Sequence, residues 1–483
     1  MQTSLDNCNQ SSLDPYIPSP TNPWDRQKAN HVYRRLGFGA PPEILNAALN
    51  QNPTELIDQL VDEAINLAPR TVPIWGYWVK DDFQKLGKRL RQYRIDLQIW
   101  MINDLLANSL RERLTLFWSN HFVTQLSEYE IPSYAFQYYN LLQRHSIGNF
   151  KTFTHDIGIS PAMLGYLNGN ISTVRKPNEN YSRELYELFT LGVNNGYTQK
   201  DIEETSRALT GWNKREIAWG PYSFDPKRFD HTEKTIFGRK GNWEYKDVID
   251  ILFEEKPVQI SEFIVTKLYK YFVSPTVSEG IVKQLAETFR SNNFELAPVL
   301  RRLFKSEHFF DIKSQGAIIK SPIDLYISFF KETQFTYPDS FAFPQRIRNR
   351  AIELKQELLE PVDVAGWPGD EYWIDTNSFL LRWEELSYFL TQVELVQYKN
   401  FVINLMGGNS NDVVLVTNTI MDTFFPQKLA NSMDYEQALV IFKDEVPVNY
   451  FEDGTWDLNW ISVPKQVHAL LQFIIKTPEF QLK

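Results

Sequence analysis

From Lys176 to Gly192 the chain spaces Tyr181, Leu185, Leu188 and Phe189 three and four residues apart, the period that puts side chains on one face of an α-helix. Pro177 and Asn178 offer an entry, because an Asn side chain caps free N–H groups. Gly192 offers an exit, since glycine takes the left-handed conformation after a helix without strain. Glu184 and Glu187 fall on an adjacent face, with Asn180 one turn before Glu184. Thr198 and Asp201 then form a capping box for a second helix that runs to about Thr210, where Gly211 can end it. Apolar stripes punctuated by Gly, Asn or Thr recur along the chain. They predict an all-α fold, mostly helical, with few or no strands. Only about residues 213–245 lack helical periodicity, and a long irregular segment inside a folded unit is expected to be functional.

Composition narrows the options further. A net charge of −10 and a pI near 5.4 argue against a general nucleic-acid role or an anionic-membrane role. The single cysteine, Cys8, excludes a disulfide framework, a thiolate zinc site and an iron–sulfur cluster. No stretch is apolar for long enough to span a membrane. Residues 1–23 are rich in Ser, Asn, Asp and Pro, without an apolar period or a signal-peptide pattern, so they read as a polar, irregular tail and suggest a cytoplasmic protein. Lys85, Lys88, Arg89, Arg91 and Arg94 form a basic helix face, read as solvated.

Several runs are distinctive together. They are Arg34-Arg35-Leu36-Gly37-Phe38-Gly39, Phe117-Trp118-Ser119-Asn120-His121-Phe122, Arg144-His145-Ser146-Ile147-Gly148-Asn149-Phe150, the Asn178–Gly192 stretch itself, Ala208-Leu209-Thr210-Gly211-Trp212, and Pro361 to Gly369. With the Phe229–Gly238 segment and the Pro478-Glu479-Phe480-Gln481 ending, they resemble the bacterial domain-of-unknown-function 1800 family. Ser182, Tyr186 and Thr232 depart from its pattern. The resemblance runs from about Asn30 to the last residue and implies one large helical unit, 24–483. It brings a candidate site but no reaction. Members of the family often look exported, so the missing signal is a departure. Gly37-x-Gly39 is not a dinucleotide loop, because no strand precedes it and Pro42 stands at the third glycine's place.

Of the seven histidines, His121, His145 and His231 lie within the matched runs. With Glu184 and Glu187 they offer a mixed His/carboxylate set. Neutral imidazole favours the later transition ions, so His121, Glu184, Glu187 and His231 are candidate ligands for iron, or for manganese, copper or zinc. Glu187, His145 and Arg183 are the candidate catalytic residues, and Asn120, Asn180 and Arg183 could orient ligands. The motifs of ferritin-like di-metal proteins, zinc proteases, serine hydrolases, P-loop proteins and c-type haem proteins are missing from the sequence. The leading expectation is therefore a metal-dependent oxidoreductase or oxygenase acting on a small or peptide-like substrate. The alternatives are a hydrolase or transferase with Glu187 as base and His121 or His231 as acid, and a non-catalytic binding module whose polar motifs are structural networks.

Overall fold

Asp25 opens the first helix by accepting the Lys28 N–H at 3.0 Å, and capping of this kind recurs along the chain. Asn52, Asn149, Ser160, Thr198, Ser321, Asp375, Asp412 and Asn431 each accept a first-turn N–H. The structure is a computed structural model that describes residues 12–85, 89–429, 431–444 and 446–483. Among them lie 24 α-helices and one antiparallel hairpin, Lys234–Ile236 against Arg239–Gly241. One apolar cluster runs from Leu13 to Phe480, so the helices share a single core. The all-α reading holds, and the hairpin falls in the segment that lacked a helical period.

The Arg34–Gly39 run ends a helix and seals an ion pair. Phe38 and Gly39 both have positive φ, 67° and 94°, and a Cβ at 39 would lie 2.8 Å from the Glu332 side chain. Glycine therefore lets Glu332 press against the backbone, where it meets Arg34 Nε at 2.6 Å. Nearby, Asp324 is gripped by both Arg113 and Lys483. Both carboxylates stand on the buried Pro322–Thr333 helix, Glu332 facing the N-terminal helix and Asp324 facing the Leu110–His121 helix and Lys483, where losing one partner strands a charge.

Two expectations need adjustment. The Asn178–Gly192 stretch is helical, but only Asn180–Glu184 is α; Leu185–Thr190 is a π-helix. Leu191 N–H donates to the Tyr186 carbonyl at 2.9 Å, and Thr190 Oγ1 donates to the Leu185 carbonyl at 2.5 Å. The wider turn rotates side chains after Glu184 away from α register. In the tail, residues 12–23 are irregular yet docked. Tyr16 N–H donates to the Lys305 carbonyl at 2.8 Å, and the ring packs 4.5 Å from Phe310. Cys8 and Lys88 lie outside the described residues. On the basic face, Arg94 is tied to the Glu130 carbonyl at 2.7 Å and Arg91 is exposed to solvent.

Candidate functional site

The four proposed metal ligands do not assemble. Among the described residues, no three His, Cys, Asp or Glu side chains are placed to share a metal ion. His121, Glu187 and His231 are each engaged elsewhere, while the Glu184 side chain is half-buried and makes no hydrogen bond or ion pair among the described residues. His121 closes the Leu110–His121 helix inside an aromatic shell that includes Phe122, Trp118 and Phe189. Its Nε2–H donates to the Phe189 carbonyl of the π-helix at 3.0 Å, leaving Nδ1 buried without a partner. Burial first, then the charge of Lys267, hold its pKa well below the usual histidine value, so the ring is neutral. Glu187 takes Arg183 at 3.2 Å, while Arg183 also reaches Glu179 and Gln199. Burial, then the neighbouring charge of Glu187, raise the Glu184 pKa. His231 is exposed, and its Nε2–H donates to the Pro226 carbonyl at 2.8 Å.

His145 joins a different cluster. Asp156 receives His145 Nε2 at 3.0 Å and His155 Nδ1 at 2.9 Å. Burial outweighs that carboxylate and lowers the His145 pKa. In the irregular segment, Arg207 Nε donates to Asp230 at 2.8 Å and Lys234 Nζ donates to the Asp230 carbonyl at 2.5 Å. Asp230, and not His231, is therefore the organising residue of that loop.

Two of the matched runs, Phe117–Phe122 and Pro361–Gly369, meet instead at a cleft of about 440 Å³. Phe117 and Asn120 come from the Leu110–His121 helix, Trp367 and Trp373 from the segment after Pro361, and Lys267, Lys270 and Tyr271 from the Pro257–Phe272 helix. Asn120 Nδ2 donates to the Trp367 carbonyl at 3.1 Å, and Trp367 N–H donates to Asn120 Oδ1 at 2.6 Å. None of His121, His145, Arg183, Glu184, Glu187 or His231 lines this cleft, although His121 directly follows Asn120.

The cleft is basic on an acidic protein. Its walls carry Lys267, Lys270 and Lys483 against Asp324 and Asp370, whereas the chain as a whole has a net charge of −10. Asp324 is held far below the carboxylate range by Arg113 and Lys483, which overcome its burial. Burial lowers Lys483 to about 7 and Lys267 to about 8. Among the described residues Lys267 has no ion-pair or hydrogen-bond partner; its ammonium lies 5.3 Å from the Phe263 ring centre. Sequence reading passed over these lysines. The available signal was the polar edge Lys267, Lys270 and Tyr271 on an otherwise apolar helix.

Fold and cleft together define a largely helical protein with a lysine-bearing pocket walled by tryptophan. The chain belongs to the family described as Protein of unknown function (DUF1800), whose model matches residues 31–482. No curated protein and no solved structure matches it significantly.

Proposed function

We propose that the chain is an enzyme performing proton transfer on a small molecule bound in the Trp367 cleft, with Lys267 as the base. The observation that carries this reading is the setting of Lys267, a half-buried amine that lines the Trp367 cleft and makes no ion pair among the described residues. An amine whose pKa is lowered to about 8 is partly free base near neutral pH, as general-base catalysis requires. Phe117, Tyr271, Trp367 and Trp373 supply apolar walls that keep water from the reacting atoms.

We favour this reading over the transition-metal oxidoreductase because no three of the side chains offered as ligands are grouped to share an ion among the described residues. Metal analysis of the purified chain tests that alternative: stoichiometric iron, manganese or copper that disappears in His121→Ala would restore it. The lysine reading is tested by limiting reductive alkylation with benzaldehyde and cyanoborohydride at pH 7.5, followed by peptide mapping. Lys267 should be modified well ahead of exposed lysines such as Lys270. Labelling of the two at equal rates would remove the basis for Lys267 as a base.

A further inference from the structure

Hydrogen-bonding capacity on the cleft wall is lopsided. Asn120 Oδ1 accepts from Trp367 N–H, and Gln356 Oε1 accepts from Ile323 N–H at 2.8 Å. Asp324 is saturated by Arg113 and Lys483, and it also accepts the Ser321 N–H. Asp370 is half-buried and accepts from Ile319 N–H. Apart from the second oxygen of Asp370, the side-chain groups left over are donors. Trp367 Nε1–H is buried without a partner, on a residue only 5% exposed. The ammonium groups of Lys267 and Lys270 have no ion pair among the described residues, and Gln356 Nε2 makes no hydrogen bond among them. Indole N–H and ammonium can only donate. A buried donor without an acceptor is costly, so a ligand that brings acceptors gains where a neutral apolar molecule does not.

We infer that the cleft is a receptor for a small molecule with an aromatic or flat apolar body and an anionic head, a carboxylate or a phosphate, received by Lys267 and Lys270. This rests on the proposed function only in placing the ligand in the same cleft. The walls fit such a body: Phe117, Tyr271, Trp367 and Trp373 present ring faces or edges beside the lysines. The lysines come from one helix, one turn apart, so a single planar or tetrahedral anion can bridge them. The positive cleft on a negative surface focuses the field that draws anions in.

The test is calorimetric titration of the full chain with phenyl phosphate, benzoate, benzamide, benzylamine and inorganic phosphate, at two salt concentrations. Phenyl phosphate and benzoate should bind at least tenfold more tightly than benzamide, and benzylamine should not bind. Lys267→Gln and Lys270→Gln should each weaken the two anions about tenfold without lowering Tm. Trp367→Phe keeps an aromatic side chain but removes the pyrrole half of the indole from the cleft wall, so it should weaken them severalfold. Inorganic phosphate bound as tightly as phenyl phosphate would identify a free-anion site without the aromatic component and overturn the class stated. Equal binding of benzamide and benzoate would overturn the anionic head while leaving Lys267 as a base intact. Anion binding unchanged in all three variants would place the site elsewhere, and no binding by any probe would overturn the inference outright. Benzaldehyde labelling of Lys267 is independent of these outcomes, so failure of the anion class and failure of the proton-transfer reading are separable.

Discussion

Asn120 and Trp367 hold each other as two peptide groups would. The Asn120 side-chain amide donates to the Trp367 carbonyl at 3.1 Å and accepts its N–H at 2.6 Å. Between them Gly366 has φ 92°, and a Cβ there would meet Asn120 Oδ1 at 2.3 Å. The turn before Trp367 thus needs glycine twice over, for its left-handed backbone and for the room. This clamp fixes one wall of the cleft to the Leu110–His121 helix.

Gly366→Ala should therefore cost about 2–4 kcal/mol, combining left-handed strain with overpacking. Asn120→Ala should cost about 2–3 kcal/mol, because the Trp367 N–H loses its acceptor. Urea denaturation measures both. A loss under about 0.5 kcal/mol in either variant would show that the segment is held by other contacts.

The Arg34–Glu332 pair supplies a second expectation. Both side chains are almost fully buried and 2.6 Å apart. Glu332→Ala should destabilise by about 3–5 kcal/mol, because Arg34 is left charged in the interior. Replacing both residues with methionine should recover most of that loss, which a double-mutant cycle in urea would register.

Tyr16 makes the tail more than decoration. It is 1% exposed, packed on Phe310 and hydrogen-bonded through its hydroxyl to the Asn22 carbonyl at 2.9 Å. Tyr16→Ala should cost about 3 kcal/mol, in the range for a buried aromatic. Deleting residues 1–23 should lower Tm at least as far. An unchanged melting curve on deletion would show that the docked segment adds no net stability.

Lys267 predicts a pH dependence with a definite sign. Burial holds its folded pKa at about 8, below the ordinary 10.5. Between those values the unfolded chain binds the extra proton, so this residue's contribution to stability rises as pH increases from about 8 to 10.5. Lys267→Met removes the group and should remove that part of the rise, while stabilising the protein slightly at pH 7.5. Denaturation midpoints at pH 7.5 and 9.5 test it: equal slopes in wild type and variant would mean an unperturbed amine.

Much of the fold was readable because helix periodicity and caps are local. Thr198 with Asp201 caps as its spacing implies, and residues 213–245 hold the only hairpin among the described residues. The π-turn was not readable, since Leu185 to Thr190 carry the same apolar spacing in either helix type; the Thr190 hydroxyl bonds locally to the Leu185 carbonyl, and the His121 bond to Phe189 comes from tertiary packing. Which candidate side chains share a surface was not readable for a related reason. Short motifs such as Phe117 to Phe122 mark where chemistry gathers but not which side chain faces it. Asn120 and His121 are adjacent, yet one lines the cleft and the other sits among aromatic rings. Lys267 belongs to none of the matched runs, so only the folded chain brings it to them.

Glu187 separates the two accounts of the Asn178–Gly192 stretch. In the arrangement described it is one arm of an i,i+4 pair with Arg183, and both side chains are partly exposed, at 23% and 37%. Such pairs contribute about 0.3–0.5 kcal/mol, so Glu187→Gln should shift the urea midpoint by little. Its neighbours Tyr186 and Phe189 keep their packing, because both are buried in the core independently of the carboxylate. As a metal ligand the same residue would behave differently: the substitution would release bound metal, and the metal-linked part of stability would go with it. Mass-spectrometric metal content and urea midpoint, measured side by side in wild type and Glu187→Gln, decide between them. Unchanged metal content and a shift below about 0.5 kcal/mol fit the ion pair. Parallel loss of metal and stability would return Glu187 to the first coordination sphere.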